Sequence, residues 1–473
     1  MALGGPRKGA LHCQVLGPAR EAAIPTAWMR RSWFAIGMAA SLVAATLPYM
    51  RDHGSELSDR LSKVAFARGG GGTKQKRPTP LAGLDLARID VRDEVATAPA
   101  ADGRIADLTL SPRLQRAANR YLREAALPEG AIVIVEVKTG RILAWSSYSE
   151  DSPARDFAAE SNVPTASVFK IVTGAGLVEQ GLGPTTRVCY RGGKSRIEAE
   201  DLIPDERRDK WCATLGEAMG RSLNTVFARM ASQHLDHDSL ESIAKRLGWG
   251  RPIPFDVPIV PSGLDLPKED DTELARSAAG FFHSTMSPFQ GANLAATVAN
   301  GGEMLRLHIV DRVREPQDRK AKKKSGQGDK DDGDKDGGKV VYEGPKERES
   351  LGRVMEERTA RAVTAMMEHT VDDGTSFKSF HDHAGRALLP DIRIAGKTGT
   401  LAETKKNGRL VTWWVGFAPS DKPEIAVSVL AANRHSWRVK ATTIAANMLR
   451  VYFSEQKRKG VVDPTLQAPK WSE

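Results

Sequence analysis

A serine and a lysine three positions apart make a nucleophile and its base when a helix puts them on one face. Ser167-Val168-Phe169-Lys170 has this spacing. A helix opened by Ser167 would hold the Lys170 amine one turn on, where it can take the hydroxyl proton. The spacing alone discriminates poorly, because Ser242/Lys245 and Ser454/Lys457 repeat it. Lys-Thr-Gly also occurs twice. Lys138-Thr139-Gly140 lies between two apolar runs and reads as a turn in which glycine supplies a positive φ. Lys397-Thr398-Gly399-Thr400 is the second copy. Between the two lies Ser222-Leu223-Asn224, a second hydroxyl followed by an amide. The order of the three motifs along the chain carries more weight than any of them singly.

The elements that must position these groups follow from local patterns. Ser111 and Pro112 open a helix, with Leu114, Ala117, Ala118, Tyr121 and Leu122 at helical spacing. The β-branched run Ala131–Val137, the Lys138–Gly140 turn and Arg141–Trp145 form a hairpin signature. Helical patterns fill most of 167–250 and 284–300; Ile392–Leu401, Val411–Phe417 and Ile425–Ala431 read as strands, closed by an amphipathic helix from Lys440 to Tyr452. Strands at both ends with helices between predict one α+β domain, its antiparallel sheet of about five strands drawn from distant segments.

Before that domain the chain changes character. Ser32–Met50 is an uncharged stretch of 19 residues directly after Arg30 and Arg31, just long enough to cross a bilayer. Residues 1–31 then form a cytoplasmic leader and 32–50 an uncleaved signal-anchor; Val43 and Ala45 also suit a cleavage site, so a removed signal peptide is the rival reading. Residues 51–104 read as a tether without apolar periodicity, 105–454 as the catalytic domain and 455–473 as a tail. Within the domain, 314–339 carries a basic block and then an acidic one, and reads as a disordered insertion.

The chain has 473 residues and a net charge of +10, which raises anionic partners. Residues 1–50, 51–104, 314–339 and 455–473 carry +4, +2, +2 and +1, leaving about +1 on the folded body. Aromatic stacking residues and a recognisable nucleic-acid module are missing from the basic block, so lipid headgroups are the expected partners and nucleic acid is not. The three cysteines, Cys13, Cys189 and Cys212, exclude a disulfide-stapled miniprotein and a four-cysteine zinc site. Cys189 and Cys212 are read either as a disulfide or as two separate thiols. His381 and His383 have ligand-like spacing without a third ligand, and neither metal nor cofactor is expected.

The ordered triple resembles that of the penicillin-binding protein transpeptidase family. The resemblance runs from about Leu108 to Tyr452 and includes Thr214–Ala218, Ser287–Gln290, Ala299–Gly302, Asp373-Gly374-Thr375, Ile394–Thr400 and Trp414–Pro419. It departs at Thr165-Ala166-Ser167, where many members have glycine before the nucleophile, and at Ala279–His283, which replaces a common Gly-Gln-Gly segment. The resemblance implies that Ser167 attacks the carbonyl between two D-alanines with Lys170 as base, and that Ser222 relays protons to the leaving amine. Asn224 would hold the substrate amide, while Lys397, Thr398, Gly399 and Thr400 would receive the terminal carboxylate. The N–H groups of Ser167 and Thr400 would form the oxyanion hole.

The implied function is a membrane-anchored peptidoglycan D,D-transpeptidase that cross-links stem peptides, binds β-lactams and depends on a separate glycan polymerase. It would be a single-pass protein of the cytoplasmic membrane with its catalytic domain outside. A serine β-lactamase, a D,D-carboxypeptidase and a non-catalytic penicillin-binding sensor are the competing readings.

Overall fold

The computed structural model describes residues 79–192, 196–316, 338–402, 408–434 and 436–460. The leader, the proposed anchor, the first part of the tether, most of the insertion and the end of the tail lie outside the described residues. Among the described residues no helix is long and apolar enough to cross a membrane.

Three short strands come first: β1 (Asp90–Arg92), β2 (Val95–Pro99) and β3 (Ile105–Leu108). They correct the tether, whose residues 79–104 are packed structure. Leu86, Ala96 and Ala98 enter the main core. The strands escaped the sequence because they are three to five residues long and bury mostly alanine, too little for a readable alternation. Helix α1 (Pro112–Glu124) follows, with the Ser111 hydroxyl accepting from the Leu114 N–H. It buries Leu114, Ala118 and Leu122 and turns its arginines outward.

β4 (Glu129–Glu136) and β5 (Ile142–Ser149) make the expected hairpin, with Gly140 of the first Lys-Thr-Gly at φ +78°. Helix α2 (Lys170–Glu179) starts beneath the nucleophile. Next come β6 (Arg187–Tyr190) and β7 (Trp211–Thr214), a strand pair inside the stretch expected to be mostly helical. Their directly opposed Cys189 and Cys212 form the disulfide. Helices α3 (Leu215–Arg221), α4 (Asn224–His234), α5 (Asp271–Ala278) and α6 (Pro288–Ala299) follow, with a further helix, His237–Arg246, between α4 and α5.

β8 (Val310–Arg314) and β9 (Val340–Glu343) pair with each other across the insertion and extend the small sheet in the order β1-β2-β3-β8-β9. After α7 (Glu357–Asp372) come β10 (Ala395–Ala402), β11 (Leu410–Ala418), β12 (Ile425–Asn433) and α8 (Ala441–Gly460). Helix α8 therefore takes in the first six residues of the expected tail.

The main sheet has the order β10-β11-β12-β4-β5, all antiparallel, so segments nearly 300 residues apart in sequence become neighbours. Its central strands are buried almost throughout because both faces are covered, and polar positions within them such as Thr412 and Ser428 are buried as well. Ala131, Val133 and Val135 enter one core with Phe289 of α6; Ile132 and Ile134 enter the other with Leu114 of α1 and Leu449 of α8. That two-sided burial fixes β10 at the edge beside the helical part, and the cleft opens there.

Candidate active site

The nucleophile turn is tighter than the α-helical start expected for it. Ala166–Phe169 is a 3-10 turn that passes into α2 at Lys170. Three residues per turn nearly eclipse positions i and i+3, and the Lys170 amine lies 2.9 Å from Ser167 Oγ. Ala166 holds φ +51°, the left-handed region glycine enters freely, which is the physical reason for the glycine common there in the family it resembles.

The turn is clamped from two sides. A Cβ on Gly280 would fall 2.3 Å from the Ala166 carbonyl oxygen, and one on Gly399 would reach 3.3 Å from Ala166 Cβ. The Trp413 indole N–H donates to the Pro164 carbonyl at 3.0 Å, tying β11 to the same segment. Gly280 itself sits at φ +90°. Gly280→Ala should therefore push the turn out of place: an expected loss of about 2 kcal/mol of stability with at least a tenfold slower acylation. Calorimetry and β-lactam labelling measured on one preparation check both.

Lys170 is fully buried, and three oxygens surround its amine: Ser167 Oγ at 2.9 Å, Asn224 Oδ1 at 2.6 Å and the Ala279 carbonyl. Burial first, and then the charge of Lys397, holds it well below the usual lysine range. A neutral amine has two N–H groups and one lone pair. With the N–H groups given to Asn224 and Ala279, the lone pair faces the Ser167 hydroxyl, the arrangement a general base needs.

Ser222 occupies the turn between α3 and α4 at φ +56°. The Leu223 N–H donates to the Ala218 carbonyl at 2.9 Å and the Ser222 N–H to Met219 at 3.2 Å, the double bond pattern that closes a helix through a left-handed residue. Lys397 approaches from β10, its amine donating to Ser222 Oγ and to the Thr398 carbonyl, both at 3.0 Å. It too is fully buried, and burial brings it down to about 7.

A cleft of about 310 Å³ gathers Ser167, Ser222, Asn224, Thr398, Gly399 and Thr400 in its wall. Lys170 and Lys397 sit behind that wall, so the Lys397 amine meets the cleft through Ser222 and Thr398. The charges that face the cleft are Arg221 and Lys440, which the sequence reading did not single out. Arg221 lies beside Asp373 at 3.6 Å, and the Lys440 amine sits 5.4 Å above the Trp437 ring. Thr375, quoted only as part of a family match, shares a 2.7 Å hydroxyl contact with Thr398. Thr412 lines the cleft and accepts the Ala441 N–H at the start of α8. Neither Arg221 nor Lys440 carries a motif, although Arg221 directly precedes Ser222.

Comparison with known proteins bears on the family and the fold. The family model for the penicillin binding protein transpeptidase domain matches residues 130–450. The peptidoglycan D,D-transpeptidase PbpA of Mycolicibacterium smegmatis is 23% identical over 391 residues, covering 75% of this chain and 72% of that protein. The D,D-transpeptidase domain of a peptidoglycan glycosyltransferase from Eggerthella lenta superposes with a TM-score of 0.58 at 24% identity, over 74% of this chain and 83% of its own. Penicillin-binding protein A from Mycobacterium tuberculosis, solved as an imipenem acyl-enzyme, gives 0.57 at 23% identity, over 74% and 79%. The likeness to the two solved structures is one of fold.

Proposed function

This chain belongs to the penicillin-binding protein transpeptidase family, and from that premise we propose that it is a peptidoglycan D,D-transpeptidase working through an acyl-enzyme at Ser167. The observation that carries the reading is the Lys170 amine 2.9 Å from Ser167 Oγ, buried and depressed toward its neutral form behind the wall of a hydroxyl-lined cleft to which Ser167 is open. As Ser167 Oγ attacks the carbonyl between two D-alanines, its proton passes to the Lys170 lone pair. The C–N bond breaks, and the departing D-alanine amine takes a proton by way of Ser222. A stem-peptide amine on a second strand then attacks the ester, forming the cross-link and returning the Ser167 proton.

Asn224 holds the donor amide, while Thr398 and Thr400 present hydroxyls to its carboxylate, with Lys397 behind them. The N–H groups of Ser167 and Thr400 receive the oxyanion. β-Lactams enter as mimics of the donor. The M. tuberculosis acyl-enzyme named above supports this for a protein of the same fold.

In this reading Ser32–Met50 anchors the chain in the cytoplasmic membrane, and the catalytic domain lies outside. The Cys189–Cys212 disulfide supports that side, since disulfides persist in oxidising compartments. A separate polymerase supplies the glycan strands.

The test uses purified full chain with fluorescent penicillin and with pentapeptide-bearing strands. Stable label on the Ser167 peptide together with cross-linked product is expected. Rapid loss of label would mean a β-lactamase, D-alanine release without cross-links a carboxypeptidase, and label with neither product a sensor. No label on folded protein would overturn acylation altogether.

A further inference from the structure

Helix α1 carries arginine at positions 113, 116, 120 and 123, the heptad-like spacing that aligns them along one face. The near-neutral charge of the folded body conceals this concentration. Together with Arg450 of α8 they line a groove of about 780 Å³, more than twice the volume of the active-site cleft. Asp90, the acid in its wall, is already paired with Arg92 at 2.6 Å. Arg116–Glu94 and Arg120–Glu124 are loose, exposed pairs at 3.9 Å that exchange readily for another anion. Among the described residues Arg123 and Arg450 make no side-chain hydrogen bond or ion pair. Arg113 and Arg116 also donate to Ser454 Oγ at 3.0 Å and to the Asp93 carbonyl at 2.8 Å, neutral acceptors that leave their charge in the concavity uncompensated.

The wall is not purely ionic. Ile89, Val91 and Val451 interrupt the arginines. Guanidinium forks match phosphate oxygens, and the aliphatic patches match the glycerol and first methylenes of a lipid. A free polyanion would leave them unused. Along the chain, Ile89 lies 39 positions after Met50, the end of the segment read as the anchor.

We propose that the groove between β1, α1 and α8 binds the phosphate of an anionic phospholipid headgroup, holding this face of the catalytic domain against the membrane. The inference rests on the groove's chemistry, takes only its orientation from the anchor reading, and is independent of acylation. The test photo-crosslinks full chain in neutral detergent with photoreactive phosphatidylglycerol or phosphatidylcholine and maps the labelled peptides. Phosphatidylglycerol should mark the α1 and β1 peptides well above phosphatidylcholine. The R120Q/R123Q/R450Q variant, which removes no short internal hydrogen bond, should lose roughly tenfold of that labelling. Penicillin labelling of the variant should match wild type and so report intact folding. Equal labelling by the two lipids, or an unaffected variant, would overturn the site. Full displacement by millimolar inorganic phosphate at constant ionic strength would make free phosphate the ligand and overturn the lipid assignment.

Discussion

Lys170→Met should leave a folded protein whose Ser167 reacts with fluorescent penicillin about 10³- to 10⁴-fold more slowly, the range expected when a general base is removed. Methionine keeps the length of the buried chain and removes the one group able to take the serine proton. The Asn224 amide oxygen and the Ala279 carbonyl each lose a donor, which costs stability, while removal of a buried amine returns some of it. Near-native melting with lost reactivity is therefore the signature. Lys170→Arg should lose as much reactivity for a different reason, because a guanidinium cannot become neutral in the protein, and it should also destabilise a site with no spare volume. In the wild type the acylation rate should climb as pH rises through the depressed pKa of Lys170, and that limb should vanish in Lys170→Met. Stopped-flow labelling across pH checks both. A Lys170→Met rate within tenfold of wild type would place the base elsewhere.

The three motifs were legible because chemistry restricts residue types, and their order separated the copies that meet in the cleft from the repeats that do not. The structure accounts for the decoys: Lys245 pairs with Glu241 at 2.9 Å on an exposed helix face, and Ser454 accepts from Arg113 at 3.0 Å. The main sheet was legible through runs such as Ala131–Val135, where burial on both faces leaves no polar interruption. Three kinds of feature stayed hidden. Strands as short as β1 to β3 carry too few positions for a period. Arg221 and Lys440 reach the cleft only because α3 and α8 end and begin beside β10 and β11, a tertiary fact. The placing of Lys397 behind the wall depends on side-chain direction, which spacing does not encode. The departure at Ala166 was visible in the sequence, but its meaning, a left-handed backbone held by Gly280 and Gly399, needed the fold.

Lys397→Met should separate stability from activity, because the two buried lysines act on each other. An unfolded lysine titrates near 10.4, whereas burial brings Lys397 down to about 7 in the fold. Between those values the unfolded chain binds more protons than the native one, so wild-type stability should rise with pH by up to about 1.4 kcal/mol per pH unit from this group. The penalty is complete below the folded value and gone above the unfolded one. Lys397→Met removes that slope, so its melting temperature should exceed wild type most at pH 7 and converge toward it by pH 10. Activity should move the other way. The substitution takes away the amine that donates to Ser222 at 3.0 Å, and also the charge that helps to lower Lys170. Burial, the larger cause of that lowering, remains, so Lys170 should rise only partly, and the acid limb of the acylation profile should shift to higher pH. Calorimetry at several pH values and labelling rates over the same range read the two effects independently. An unchanged acid limb would show that Lys397 does not tune the base, even if the protein became more stable.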